Sequence, residues 1–267
     1  MMSPAEIAAA ARALDGAERT RTQIGLLSLA HPGMDMDDAY AVQAAWMELK
    51  RAAGRKIIGR KIGLTSKAMQ QALNIDIPDS GILLDDMLFS DGATIPKGRF
   101  IQPRIEAEIA FVMKAPLKGP GVTPADVIAA TDTIQPALEV LDTRIQRVDP
   151  QTKKARTVFD TIADNAANAG IVLGGRRLKP GEADMRWMGA IVYRNGEVEE
   201  TGLGAGVLDD PALSMAWLAN RLAQYGDQIH EGEIVLSGSF IRPVECPPGS
   251  KIVADFGPYG TVSCDFA

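Results

Sequence analysis

Cysteine and histidine are scarce: the 267 residues include only Cys246, Cys264, His31 and His230. With no CxxC pair, neither a disulfide framework nor a thiolate zinc centre organises this chain, and the two cysteines read as small buried residues. A serine or cysteine triad, or a histidine-ligated metal, would have to be assembled from two histidines. Both stand in turn-like contexts, AHPG and DQIHEGE, where a surface position is expected. Clustered positive charge is also lacking. Lysine and arginine are scattered and the net charge is −6, so nucleic acid and anionic membranes are disfavoured as partners. No apolar run approaches membrane-spanning length, and MMSPAEIAAAARALD lacks the basic end and long apolar stretch of a secretory signal. A cytoplasmic location is the expectation. Any chemistry must then rest on carboxylate, lysine and hydroxyl groups.

What is present is an ordinary globular composition, 46% apolar, long enough for one large domain or for a small one joined to a larger one. Ser3, Pro4 and Glu6 spell a capping box with proline at the first helical position, followed by Ile7, Ala11 and Leu14 at helical spacing. Asp35, Asp37 and Asp38 open a second helix, whose apolar stripe is Val42, Trp46, Leu49 and Ala53 and which Gly54 ends. After it come the glycine-broken IIGRKIGLTS, a short helix expected over Lys67 to Leu73, and the turn-rich IPDSG. From about residue 80, short apolar runs such as EIAFVM, IQPALEVLD, AGIVLGG and KIVADF alternate with Gly and Pro, which predicts a sandwich or closed β-roll and not βαβ units. Two helices interrupt them, one opened by Thr123 and Pro124, the other by Asp210 and Pro211. The polar stretch 144–157 reads as an exposed loop or lid.

Within RIEAEIAFVM, side chains alternate faces, so Glu106 and Glu108 point the same way, opposite Ile105, Ala107 and Ile109. Glu139 in IQPALEVLD falls opposite Leu138 and Val140 and repeats the anomaly. Three carboxylates on strands suit a hard divalent ion; a solvated sheet face explains them equally well. Lys61, among glycines in GRKIGLTSK, is either a surface lysine or a proton shuttle beside a bound substrate. Asp79 in IPDSG reads better as a turn former than as an acid/base group, and Asp160 and Asp164 carry the same ambiguity.

Taken together, GRKIGLTSKAMQ, IPDSGILLDDM, RIEAEIAFV, PALEVLDTR, FDTIADNAANAG and LSGSFIRPV resemble the hydratase and decarboxylase branch of the fumarylacetoacetate hydrolase superfamily, nearly end to end. The resemblance implies an α+β fold. Its catalytic β-roll or sandwich would cover residues 79–267, with a small, mainly helical domain over residues 1–78. It also implies Mg²⁺, with Mn²⁺ as the alternative, held by Glu106, Glu108 and Glu139; Lys61 and Asp79 as acid/base groups; and Lys61, Asp160 and Arg242 at the substrate. Arg242 would recognise a distal carboxylate, with a structural salt bridge as the equal alternative. The implied activity is addition of water to a 2-oxoalkenoate dicarboxylate in aromatic catabolism, by a homo-oligomer. Hydration of a pentadienoate, decarboxylation of 4-oxalocrotonate and metal-dependent binding without turnover stay open beside it. Hydrolysis of a C–C bond would need a histidine near the metal, and neither histidine stands in such a context.

Overall fold

The computed structural model describes residues 1–72 and 77–267. The amino-terminal part is helical, with α1 (Pro4–Thr20), α2 (Leu27–Ala30) and α3 (Met36–Ala52). Capping boxes set both long helices: the Ser3 hydroxyl accepts from Glu6 N at 3.3 Å, and Asp35 Oδ1 accepts from Asp38 N at 2.9 Å. The buried stripe of α3 is Ala39, Val42, Trp46 and Met47, packed on Ala10, Ala11 and Leu14 of α1; Leu49 and Ala53, expected on that stripe, are exposed.

Next come β1 (Ile57–Gly63), α4 (Lys67–Ala72), β2 (Asp79–Leu84), β3 (Leu88–Phe89), β4 (Ala93–Ile95), β5 (Arg104–Met113), α5 (Pro124–Ala130) and β6 (Thr131–Leu141). The chain continues through α6 (Val158–Ala163), β7 (Asn168–Leu173), β8 (Gly189–Arg194), β9 (Glu197–Leu203), α7 (Pro211–Ala223), β10 (Ile234–Leu236), β11 (Val244–Glu245), β12 (Lys251–Asp255) and β13 (Thr261–Phe266). Leu73, the expected last residue of the helix that begins at Lys67, lies outside the described residues. No helix among the described residues is long and apolar enough to cross a membrane.

Two sheets form, as the β-rich carboxy-terminal pattern predicts. The larger runs β2-β1-β10-β5-β6-β7-β3, with β11 pairing the start of β5, and the smaller runs β4-β13-β12-β8-β9. Asn195 and Gly196, both at positive φ, make the tight turn between β8 and β9 that an Asn-Gly pair favours. β1, within the residues 1–78 that the resemblance implied to be a mainly helical domain, is paired with β2 and β10 inside the larger sheet. Its glycines and single charged pair hide a strand signal that only the neighbouring strands complete.

The two faces of β5 diverge sharply. Ile105, Ala107, Ile109 and Phe111 join Leu138 and Val140 of β6 in the main core, against Val192, Ile252, Ala254 and Val262 of the smaller sheet and the buried face of α7. At roughly 2 kcal/mol per fully buried large apolar side chain, this face anchors the strand. The opposite face carries Arg104, Glu106, Glu108 and Ala110 in a row, beside Ala137, Glu139 and Leu141 of β6. Ala110 and Ala137 belong to a small apolar plug with Leu83, Ile171 and Leu236. From that plug the row runs outward to the carboxylates.

Candidate metal and acid/base site

Antiparallel register places Glu106 directly opposite Glu139, and Glu108 one step further in, opposite Ala137. Each of the three glutamates offers an oxygen, and these oxygens lie within 4.8 Å of one another. Glu108 and Glu139 are fully buried. Their environment is unbalanced: Glu108 Oε2 accepts from Gly238 N at 2.7 Å and Glu139 Oε1 from Asn168 Nδ2 at 2.9 Å. Glu108 Oε1 and Glu139 Oε2 are buried without a hydrogen-bond donor among the described residues. Burial, reinforced by Glu139, pushes the Glu106 carboxyl up to about 8; burial also lifts Glu108 well above the usual carboxylate range, with Glu139 and Glu106 adding to the rise. Orphaned carboxylate oxygens converging in an enclosed site fit a hard divalent cation.

Lys61 reaches this cluster from β1, three strands from β6 in the sheet order. In a flat sheet those strands would stand roughly 14 Å apart. Lys61 Nζ nevertheless lies 3.4 Å from Glu139 Oε1, so the sheet is curled and the glutamates face its inside. Lys61 also donates to Ala166 O at 3.1 Å. Burial works against its charge, but Glu139, Asp79, Glu106 and Glu108 outweigh that and hold the ammonium protonated.

Asp79 opens β2 and pairs in register with Gly63 of β1, so it is a strand residue and not the turn former that IPDSG suggested. Its Oδ1 is buried without a hydrogen-bond partner among the described residues, and burial raises its pKa to about 6, with Lys61 opposing the rise. Gly63 makes room for this pair. A Cβ there would collide with Asp79 Oδ1 and stand 2.9 Å from Lys61 Nζ.

ADNAANAG explains itself in the structure. Asn165, Ala166 and Ala167 all have positive φ, a strained left-handed turn that aims the Ala166 carbonyl at Lys61. Asn165 pins the turn by exchanging two hydrogen bonds with the Ile82 backbone, and Asn168 orients Glu139. Asp164 is the counter-ion of the buried Arg144, accepting from its Nε and its backbone N. Asn165, Asn168 and the Ala166 carbonyl carried no separate sequence signal, because their roles depend on register with strands far away in the chain.

A cavity of about 490 Å³ opens beside the cluster, lined among others by Lys61, Asp79 and Glu106, with Arg104, Arg147 and Arg156 along its wall. Arg242 stands at its rim, with its side chain 81% exposed and paired to Glu200 at 2.7 Å. Asp160 is not among the lining residues. It is fully buried and accepts from Ser28 N and Oγ and from Thr157 N and Oγ1, which caps α6 and ties it to α2. The expectation of a substrate contact is corrected accordingly, since those four donors engage both carboxylate oxygens. His31 is partly exposed near Glu6 and His230 is exposed, and neither lines the cavity.

No protein-family model matches the chain. Over 256 residues, 96% of each chain, it is 55% identical to the 2-oxo-hept-4-ene-1,7-dioate hydratase of Escherichia coli. It is 40% identical over 238 residues, 88% of each chain, to the 2-hydroxyhexa-2,4-dienoate hydratase of Comamonas testosteroni. The structure of the 4-oxalocrotonate decarboxylase from Pseudomonas putida G7, complexed with magnesium and adipate, matches it with a TM-score of 0.95 over 100% of this chain and 99% of that one, at 37% identity.

Proposed function

This chain belongs to the hydratase and decarboxylase branch of the fumarylacetoacetate hydrolase superfamily, and from that membership we propose that it is a Mg²⁺-dependent hydro-lyase of aromatic catabolism. Its substrate is 2-oxohept-4-ene-1,7-dioate, arising from the 2-hydroxydiene isomer in the homoprotocatechuate meta-cleavage route, and its product is 4-hydroxy-2-oxoheptanedioate. The observation that carries this reading is the convergence of Glu106, Glu108 and Glu139, with unpartnered buried oxygens, beside a cavity that also presents Lys61 and Asp79. Identity supports hydration over decarboxylation, at 55% to the hydratase against 37% to the decarboxylase.

Glu106, Glu108 and Glu139 would hold the ion, Mg²⁺ or alternatively Mn²⁺, which when bound polarises the 2-oxo group and stabilises negative charge that develops on its oxygen. The protein's own groups move the protons. Lys61 Nζ, kept charged by the carboxylates around it, gives a proton to C5 of the 2-hydroxydiene form and is restored by the proton that the 2-hydroxyl loses as it becomes the 2-oxo group, which leaves the C3–C4 double bond conjugated with it. Asp79, whose Oδ1 has no hydrogen-bond partner among the described residues and whose pKa burial raises to about 6, takes the proton from the water that adds at C4 and returns it to C3, so that one water is added and the carboxylate is restored. The Ala166 carbonyl and Glu139 fix the ammonium in place, so its donor direction is set before substrate arrives. Cytoplasmic location and assembly as a homo-oligomer follow from the same family reading, and light scattering on the purified protein tests the assembly.

Supplying 2-hydroxyhepta-2,4-dienedioate with Mg²⁺ tests the reaction. Loss of the diene absorbance with formation of the 4-hydroxy product and no CO₂ is expected. Stoichiometric CO₂ would move the assignment to a decarboxylase, and Mg²⁺-dependent binding without turnover would make the protein a binder.

A further inference from the structure

Resting on the diacid substrate of that reading, we propose that β5 works as a ruler: Glu106 and Glu108 mark the end of the substrate beside the metal, and Arg104, with Arg156 across the cavity, binds the distal carboxylate. Arg104, Glu106 and Glu108 share one face of β5 by the period of two, and Arg104 and Glu106 line the same cavity. Two residues of extended backbone contain six bonds, and six bonds also separate C1 from C7 in an extended seven-carbon diacid, roughly 7 Å in each case. A substrate held at the glutamates by its C1 end therefore brings its far carboxylate to the level of Arg104.

The guanidinium groups along the wall differ in what already occupies them. Arg242 is spent, exposed and paired through Nε and one terminal nitrogen with Glu200. Arg147 donates to Glu245 at 2.8 Å and to Gln102 O at 3.2 Å. Arg104 reaches only to 3.8 Å from Glu245, and its Nε is buried without a hydrogen-bond acceptor among the described residues. Arg156 donates to Thr143 Oγ1 at 2.8 Å and has no carboxylate within 4.0 Å among the described residues. Arg156 N bonds to Arg147 O at 2.9 Å, one step from the bridge between Val148 and Ala155. The polar stretch 144–157 is thus a small hairpin whose base holds Arg156 over the cavity. A carboxylate arriving there gains charge-assisted hydrogen bonds from one guanidinium held only loosely, at 3.8 Å, by Glu245 and from another with no carboxylate within 4.0 Å among the described residues. A monocarboxylate leaves them unpaired, which gives selectivity by length and charge together.

The test compares kcat/KM for the seven-carbon diacid dienol with that for 2-hydroxypenta-2,4-dienoate. Arg156→Ala and Arg104→Ala should each lower the diacid-to-monoacid ratio by roughly 10- to 100-fold, with Arg156→Lys in between, and each should lower it more than Arg242→Ala. Arg104→Gln replaces Arg104→Ala if that variant does not fold. Equal loss on both substrates, or a larger fall in the ratio with Arg242→Ala, overturns the proposal. A second measurement needs no turnover: Mg²⁺-dependent binding of saturated 2-oxo diacids of five, six and seven carbons. It should be tightest at seven carbons in the wild type and flat with length in Arg104→Ala; an optimum at another length, or a profile that Arg104→Ala preserves, overturns the ruler. Failure of the wild type to hydrate the diacid dienol would overturn the hydratase reading instead and leave this binding test standing.

Discussion

Two buried charge clusters lie close together in this molecule, and they are built on opposite principles. In one, Arg144 and Asp164 satisfy each other: the carboxylate accepts from Nε and from backbone N–H groups, the guanidinium donates to two backbone carbonyls, and its plane lies over Trp46 at 5.1 Å. In the other, Glu106, Glu108 and Glu139 share the ammonium of Lys61, and two of their buried oxygens have no donor among the described residues. Complete pairing marks a group that holds the fold together. Incomplete pairing, kept inside a curled sheet by strands whose other face is firmly packed, marks residues whose chemistry fits a cation.

Removing members of each cluster should separate the two roles. The largest effect is expected from Glu106→Ala, which should lower kcat/KM by about a thousandfold or more with Mg²⁺ present while circular dichroism stays native, since the strand's anchor is its apolar face. Near-native turnover of that variant would break the distinction. Asp164→Asn should act the other way, destabilising the protein by about 3–5 kcal/mol in denaturant titration because Arg144 is left as an uncompensated buried charge. Gly63→Ala comes next. Its methyl displaces Asp79 and Lys61, so kcat should fall roughly 10- to 100-fold with little change in Mg²⁺ affinity, read by steady-state kinetics and calorimetry. Asp160→Ala is the smallest, about 1 kcal/mol of stability from a lost cap, with KM close to wild type. A large rise in KM would restore the substrate contact that the structure argues against.

The contrast was half visible in the sequence. Alternation along RIEAEIAFVM put Glu106 and Glu108 on one face and the anchor on the other, and the same logic singled out Glu139, because period two is a local property of a strand. That Glu139 faces Glu106 across the ladder is a matter of register, which no local pattern records. The same limit hid β1, whose place beside β10 comes from a strand far along the chain, and Asn168, whose amide orients Glu139 from β7. Asp160 and Asp79 show the limit from the other side. Each is an aspartate in a polar string, yet one caps a helix and the other has a buried Oδ1 with no hydrogen-bond partner among the described residues, next to Lys61, a difference made wholly by tertiary neighbours. Arg104 had a readable clue, two positions before Glu106 on the same face, but its meaning depends on a cavity that the sequence does not draw.

The central claim, that the glutamate trio is a cation site and not a misplaced surface, is tested most directly by calorimetric titration of Mg²⁺ at pH 6 and pH 8. Metal must displace protons from carboxyls that burial holds at about 8 for Glu106 and raises for Glu108. In the metal-free fold these raised groups contribute stability below their ordinary value of 4.5 and lose it as pH climbs toward 8, so the cation is needed most at the higher pH. The account predicts one-site binding to the wild type, roughly tenfold or more tighter at pH 8 with proton release, and none in Glu139→Gln. Binding that ignores pH, or that survives Glu139→Gln at wild-type affinity, would contradict it.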